Sequence, residues 1–124
     1  MHWLAIALGG AFGAVARAFI AGWMQKSLGA GFPFGTLAVN FIGSFVIGFL
    51  FVLLVERLNM PGYWRELLVV GFLGALTTFS TFSLEIVNFL QHGQWHIALV
   101  YLLASLIGCF TLTWLGLTVG RVIF

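Results

Sequence analysis

The sequence predicts an all-α membrane protein of four transmembrane helices, with the third helix broken near its centre. Three observations predict it. The chain of 124 residues is 62% hydrophobic and 6% charged, whereas a soluble domain carries about a quarter charged residues. Asp, Glu, Lys and Arg are all missing from Ser27 to Val55 and again from Ile86 to Gly120. Residues 77–83 then place five hydroxyls in seven positions, inside a segment that is otherwise apolar.

A spanning helix needs about 20 apolar residues at 1.5 Å each. The spans are predicted at about 3–24, 34–55, 66–90 and 95–120. They use almost the whole chain, so 1–124 forms a single domain with no space for a separate catalytic one. No catalytic residue is assigned.

The first span is bracketed by Trp3 and Trp23, as interfacial aromatic belts require. Ala14-Val15-Ala16 resembles a processing site, but no positive charge precedes the apolar run and hydrophobicity continues to Trp23. The segment therefore reads as a retained span. Gly29-Ala30-Gly31-Phe32-Pro33 ends it, Asn59-Met60-Pro61-Gly62 ends the second, and Gln91-His92-Gly93-Gln94 ends the third. Gly and Pro at these places are ordinary breakers. Trp64 and Trp95 open the third and fourth spans.

The third span carries the strongest signal. Gly71-Phe72-Leu73-Gly74-Ala75-Leu76-Thr77-Thr78-Phe79-Ser80-Thr81-Phe82-Ser83 sets two glycines before the hydroxyl cluster. Clustered Ser and Thr compete for backbone groups and weaken a helix. Lipid offers no hydrogen bonds, so irregular backbone at that depth needs protein or a wet cavity around it. A polar helix break at the midplane marks an ion or substrate site. The chain is thus expected to move something small across a membrane.

Small residues recur at packing intervals in Gly9 with Gly13, Ser44 with Gly48, Ala104 with Gly108, and Gly116 with Gly120. Packing within one subunit is expected to account for about half of these. Four thin spans leave little room for a pore inside one subunit, so the remaining faces point to an oligomer. Charge hardly orients the chain. Arg57, Arg65 and Arg121 stand on the side of the N-terminus, and Lys26 stands on the other, with Arg17 if it snorkels that way. A chain that inserts either way up can pair antiparallel with its own copy.

Other classes are excluded. The net charge of +2 is too sparse for a nucleic-acid footprint. Cys109 is the only cysteine and cannot form an intrachain disulfide; it reads as a space-filler in a buried helix. His92 and His96 flank Gly93 near a helix end, which favours an interfacial loop over a metal site.

Several side chains can carry chemistry. Asn40 can donate to an anion without adding charge, or make an interhelical hydrogen bond. Phe79 and Phe82 lie three apart on one face, where positive ring edges can meet an anion. With 14 phenylalanines in the chain, plain packing is the commoner role. Tyr101 and Ser105, with Thr111 and Thr113 further along, can form a polar track; Tyr101 also suits the interface belt, and Ser105 can bond back to its own helix. Arg17 and Glu85 are candidates for a vestibule or an anchoring role, because charge within a bilayer is costly and functional by default.

Taken together, Gly10-Ala11-Phe12-Gly13-Ala14-Val15-Ala16-Arg17, the Gly35–Ser44 run around Asn40, and Gly71–Ser83 resemble the Fluc (CrcB) fluoride channels. The similarity covers all four spans in order. It implies an antiparallel, dual-topology homodimer in a bacterial plasma (inner) membrane, with two fluoride pores along the subunit interface and passive export that lowers fluoride toxicity. It also implies a structural sodium ion at the dimer centre, held by the backbone carbonyls of Gly74 and Thr77 from both copies. The implied ion pathway comprises Asn40, Phe79, Phe82, Tyr101, Ser105 and Thr111, with Thr36 and Thr81 as further lining groups. The partners implied are fluoride, the lipid bilayer and a second copy of the chain.

Two rival classes remain. A proton-coupled small multidrug exporter shares the size and span number but needs a carboxylate in its first helix. A non-transporting membrane scaffold explains the small-residue faces but not the polar break beside paired aromatics.

Overall fold

A computed structural model describes residues 2–29 and 31–124; Met1, and Ala30 in the predicted first turn, lie outside the described residues. Among the described residues, four helical segments are long and apolar enough to cross a membrane, at His2–Leu28, Phe34–Arg57, Gly62–Gln91 and Trp95–Ile123. No strand occurs among the described residues. The turns form where the breakers stand. Gly29 and Gly93 adopt φ of 105° and 73°, which a residue with a Cβ rarely tolerates. Pro61 is extended and leads into the third span, whose start at Gly62 lies one turn earlier than hydropathy indicates.

The spans pair in a definite way. The second lies along the fourth, and the first lies along the leading half of the third. After the break, residues 80–91 leave the first span and pack on the fourth. Breaking the third helix thus lets its two halves take different neighbours. The leading half is also wound as a π-helix over Glu66–Leu73, a local widening that recurs at functional sites.

Close backbone approach makes these pairings tight. A Cβ on Gly9 or Gly13 would collide with the backbone of Leu67 or Phe72, and one on Gly71 with the Ile6 carbonyl. On the other pair, Gly48 faces the Thr113 carbonyl, Gly116 the Phe45 carbonyl and Gly120 the Val52 side chain. Gly108 receives the Phe41 ring. Every glycine of the small-residue pairs is therefore engaged within one subunit, which leaves none of these glycines spare for a second copy.

The core at the centre of the bundle is Val39, Leu73 and Leu76, with Ala16, Ile20 and Phe72 packed against it. At the end holding the N-terminus, His2 pairs with Glu66, and Arg121 pairs with Glu56 at 3.0 Å. Each pair ties two spans, but exposed pairs of this kind add little to stability.

Gly116→Val should lower the melting temperature in detergent, with a cost of about 1–3 kcal/mol from overpacking against the Phe45 carbonyl. Gly22→Ala meets open space and should change stability by less than about 0.5 kcal/mol. Equal losses in both variants would contradict the packing described.

Candidate functional site

The break falls at Thr77, whose ψ of 156° turns the chain out of helical geometry. Helical bonding resumes with the segment Ser80–Gln91. Four side chains or backbone groups take up what the break leaves open. Asn40, reaching from the second span, grips Thr78 at two points: the Thr78 N–H donates to Asn40 Oδ1 at 2.8 Å, and Asn40 Nδ2 donates to the Thr78 carbonyl at 3.0 Å. The side-chain amide thus replaces a peptide partner. The Thr78 hydroxyl accepts from the Thr81 N–H at 3.2 Å, which caps the new helix as hydroxyls commonly do. The Thr77 hydroxyl donates back to the Leu73 carbonyl at 2.9 Å.

Arg17 supplies the fourth. Its Nε donates to the Ala75 carbonyl at 2.9 Å, placing a cation at the C-terminal end of the leading half-helix, where the helix dipole favours it. Of the two roles open to Arg17, the anchoring one has a visible partner.

The carbonyls of Gly74 and Thr77 are among those that lose their helical partners at the break. In an unbroken helix the Thr78 N–H would bond Gly74, and the Thr81 N–H would bond Thr77. Both donors are occupied elsewhere, by Asn40 and by the Thr78 hydroxyl. Gly74 is also exposed. Main-chain oxygens freed in this way suit a hard cation, so the residues expected to hold sodium have the right donor chemistry. Among the described residues there is no cluster of His, Cys, Asp and Glu of metal-binding size, and the candidate site consists of backbone oxygen alone.

A cavity of about 480 Å³ opens beside the break, and Asn40, Thr77, Phe79, Phe82, Ser105 and Cys109 are among the groups that line it. The room is made partly by Gly43, against which the Thr77 methyl is seated. Phe82 is buried and Phe79 is 73% exposed, with ring centroids 5.5 Å apart. Phe82 also meets Tyr101 edge-on at 5.0 Å. The pair shares a face, as its spacing requires, but one ring points inward and the other lies on the surface.

Tyr101 is fully buried, away from the interface belt that its type also suits. Its hydroxyl donates to Glu85 Oε1 at 2.8 Å, and the Thr36 hydroxyl donates to Glu85 Oε2 at 3.1 Å. Glu85 therefore links the second, third and fourth spans roughly 10 Å beyond the break at 1.5 Å per residue. It also lines a second cavity of about 350 Å³ with Gln25, Phe32 and Asn88. Thr81 is half-buried on the segment after the break.

Ser105 does not bond back to its own helix. Its Oγ is the buried side-chain polar atom without a partner among the described residues. Buried polar groups are nearly always satisfied, so a hydroxyl left open on a cavity wall points to water or a ligand there. Thr111 stands elsewhere: it is exposed and lines a separate surface groove with Phe110 and Trp114. Thr113 donates to the Ser44 carbonyl at 3.1 Å and serves packing.

Three groups take roles at the site beyond those read from the sequence. Cys109 lines the main cavity, one turn beyond Ser105, and the series 101, 105, 109 was the signal for it. Thr78 was visible only as one hydroxyl among five. Gln25 bonds the Gly29 and Phe32 carbonyls and accepts from the Gly35 N–H at 3.1 Å, so it fastens the first loop; a lone Gln near a span end gave no signal.

A family model described as "CrcB-like protein, Camphor Resistance (CrcB)" matches residues 4–117. The chain belongs to the CrcB family. It is 51% identical over 118 residues to a protein of Magnetococcus marinus named fluoride-specific ion channel FluC, covering 95% of this chain and 96% of that one. Proteins of the same name from Hahella chejuensis and Citrifermentans bemidjiense are 49% and 46% identical, over 98% and 94% of this chain and 96% and 94% of theirs. The CrcB match spans all four helices and the break.

Asn40→Ala should destabilise the protein by about 1–3 kcal/mol for each Thr78 backbone group left without its partner. Amide hydrogen exchange at residues 77–81 should accelerate in the same variant. Unchanged exchange there would mean that the amide does not hold the break.

Proposed function

We propose that this CrcB-family chain is a fluoride-selective channel that exports fluoride passively from a bacterial cytoplasm, acting as a multi-pass protein of the plasma membrane. The observation that carries the reading is the polar break at mid-span, pinned by Asn40 and opening on a cavity with an unpartnered hydroxyl and aromatic edges. The names of the relatives supply the ion. The chain is a conduit and catalyses no reaction.

The chemistry of the cavity suits a small, strongly hydrated anion. Its water must be replaced by donors, and conduction needs binding that is favourable yet easily undone. Ser105, the remaining Asn40 amide proton and the ring edges of Phe79 and Phe82 are weak donors in series. The one carboxylate near the cavity, Glu85, accepts from Thr36 and Tyr101, which spreads its charge over two hydroxyls. Thr81 and Thr111 extend the proposed pathway on surfaces that a second copy would complete.

A second copy is proposed because of where the break lies. Gly74, Phe79 and Ser80 are exposed, and an irregular segment facing lipid has no hydrogen-bond partners. An antiparallel homodimer would cover two such segments with each other. The weak charge bias across the bilayer suits dual topology. The Gly74 and Thr77 carbonyls of both copies would then converge on a sodium ion, which would neutralise oxygen dipoles at the dimer centre. In that arrangement Arg17 and Asn40 fix the backbone, and the freed carbonyls face inward.

No pump is needed. Hydrogen fluoride enters neutral and dissociates inside, and a negative interior drives the anion out at about 2.3 kcal/mol per charge per 100 mV. The multidrug-exporter alternative lacks its acidic residue, since the first span holds no Asp or Glu.

Proteoliposomes loaded with fluoride should release it rapidly once valinomycin is added, and should retain chloride; equal loss of both ions would end the claim of selectivity. Phe82→Ala should slow release by roughly tenfold, the scale of about 1.4 kcal/mol in a barrier, while the dimer persists. Flux equal to that of the parent protein would take the ring out of the pathway.

A further inference from the structure

We infer that Arg17 sets the charge selectivity of the cation site at the break, so that a monovalent ion is accepted and a divalent one is disfavoured. The inference rests on the sodium site proposed above.

Arg17 is held in place by packing on both sides in sequence. A Cβ on Gly13 would strike the Phe72 carbonyl, and Ala16 and Ile20 pack on the Leu73 and Leu76 core. That contact fixes the face of the first span and delivers Arg17 Nε to the Ala75 carbonyl. Ala75 sits directly after Gly74 and two residues before Thr77, the two residues whose carbonyls are proposed to hold sodium. The guanidinium therefore lies within a turn of both candidate ligands.

Its charge is not offset by a carboxylate. Glu56 pairs with Arg121, Glu66 with His2, and Glu85 accepts from Thr36 and Tyr101. These are all the acidic side chains of the sequence. A lone cation beside backbone oxygens, in a weakly screening interior, raises the cost of any ion bound there.

Size and ligand type do not separate sodium from calcium, since both are hard ions taking oxygen ligands at similar distances. Charge does. Coulomb energy scales with the product of charges, so Arg17 repels a divalent ion twice as strongly as a monovalent one. Removing the charge should multiply calcium affinity by the square of the factor for sodium. A gain of about 5-fold for sodium would be about 25-fold for calcium.

The test uses the purified full-length protein in detergent, with its thermal midpoint followed by tryptophan fluorescence. Sodium or calcium is titrated against N-methylglucamine at constant ionic strength. The wild-type protein should be stabilised by sodium and far less by calcium. Arg17→Gln should respond to calcium at much lower concentration, with the squared relation to sodium, and Arg17→Lys should keep wild-type discrimination. Should Arg17→Gln fail to fold, the wild-type and Arg17→Lys titrations still decide. Calcium matching sodium on the wild type, equal factors in Arg17→Gln, or Arg17→Lys losing discrimination would each overturn the role of Arg17 alone. A wild-type midpoint indifferent to both cations would overturn this role and the sodium site together.

Discussion

A main chain broken at the middle of a membrane must find every hydrogen bond inside the protein. Here the Asn40 amide meets that demand, binding both the N–H and the carbonyl of Thr78. The rest of the site follows from this one contact. It holds Thr78 out of the helix, frees the Gly74 carbonyl, and lets the Thr78 hydroxyl cap the next segment. Arg17 closes the other side by bonding Ala75. The break is thus a constructed element with its own partners on the first and second spans.

Packing makes that construction available. The leading half of the third span lies so close to the first that only glycine fits at 9, 13 and 71. The trailing half lies on the fourth span, where Tyr101 and Phe82 meet edge to face. A straight helix cannot follow both neighbours. The change of partner bends the backbone where the hydroxyls stand, and it leaves a cavity at the bend.

The site balances charges without placing a bare one in the cavity. The helix end beside the break is negative through its dipole, and Arg17 faces it. Glu85 is held by two hydroxyls on separate spans. What remains on the wall is neutral: an amide, hydroxyls, a thiol and ring edges. Such a surface can solvate a small anion in stages, where a fixed positive charge in the path would trap it.

Much of this was legible in the sequence, because the bilayer imposes strong constraints of length and polarity on each span. Four apolar runs, their glycine turns, and the polar interruption at 77–83 are all one-dimensional signals. Asn40, Phe82 and Ser105 are polar or aromatic groups on three different spans, and they do meet at one cavity. What a linear pattern could not supply is the direction of each side chain about its helix. Thr111 looks like a continuation of Ser105 but lies on another face of its helix, and Cys109 is the next group along the wall of the main cavity. The same holds for partners: both the Asn40 grip on Thr78 and the Arg17 bond to Ala75 join residues far apart in the chain. Those contacts depend on how closely the spans approach and at what rotation, which glycine packing between helices settles only once the chain is folded.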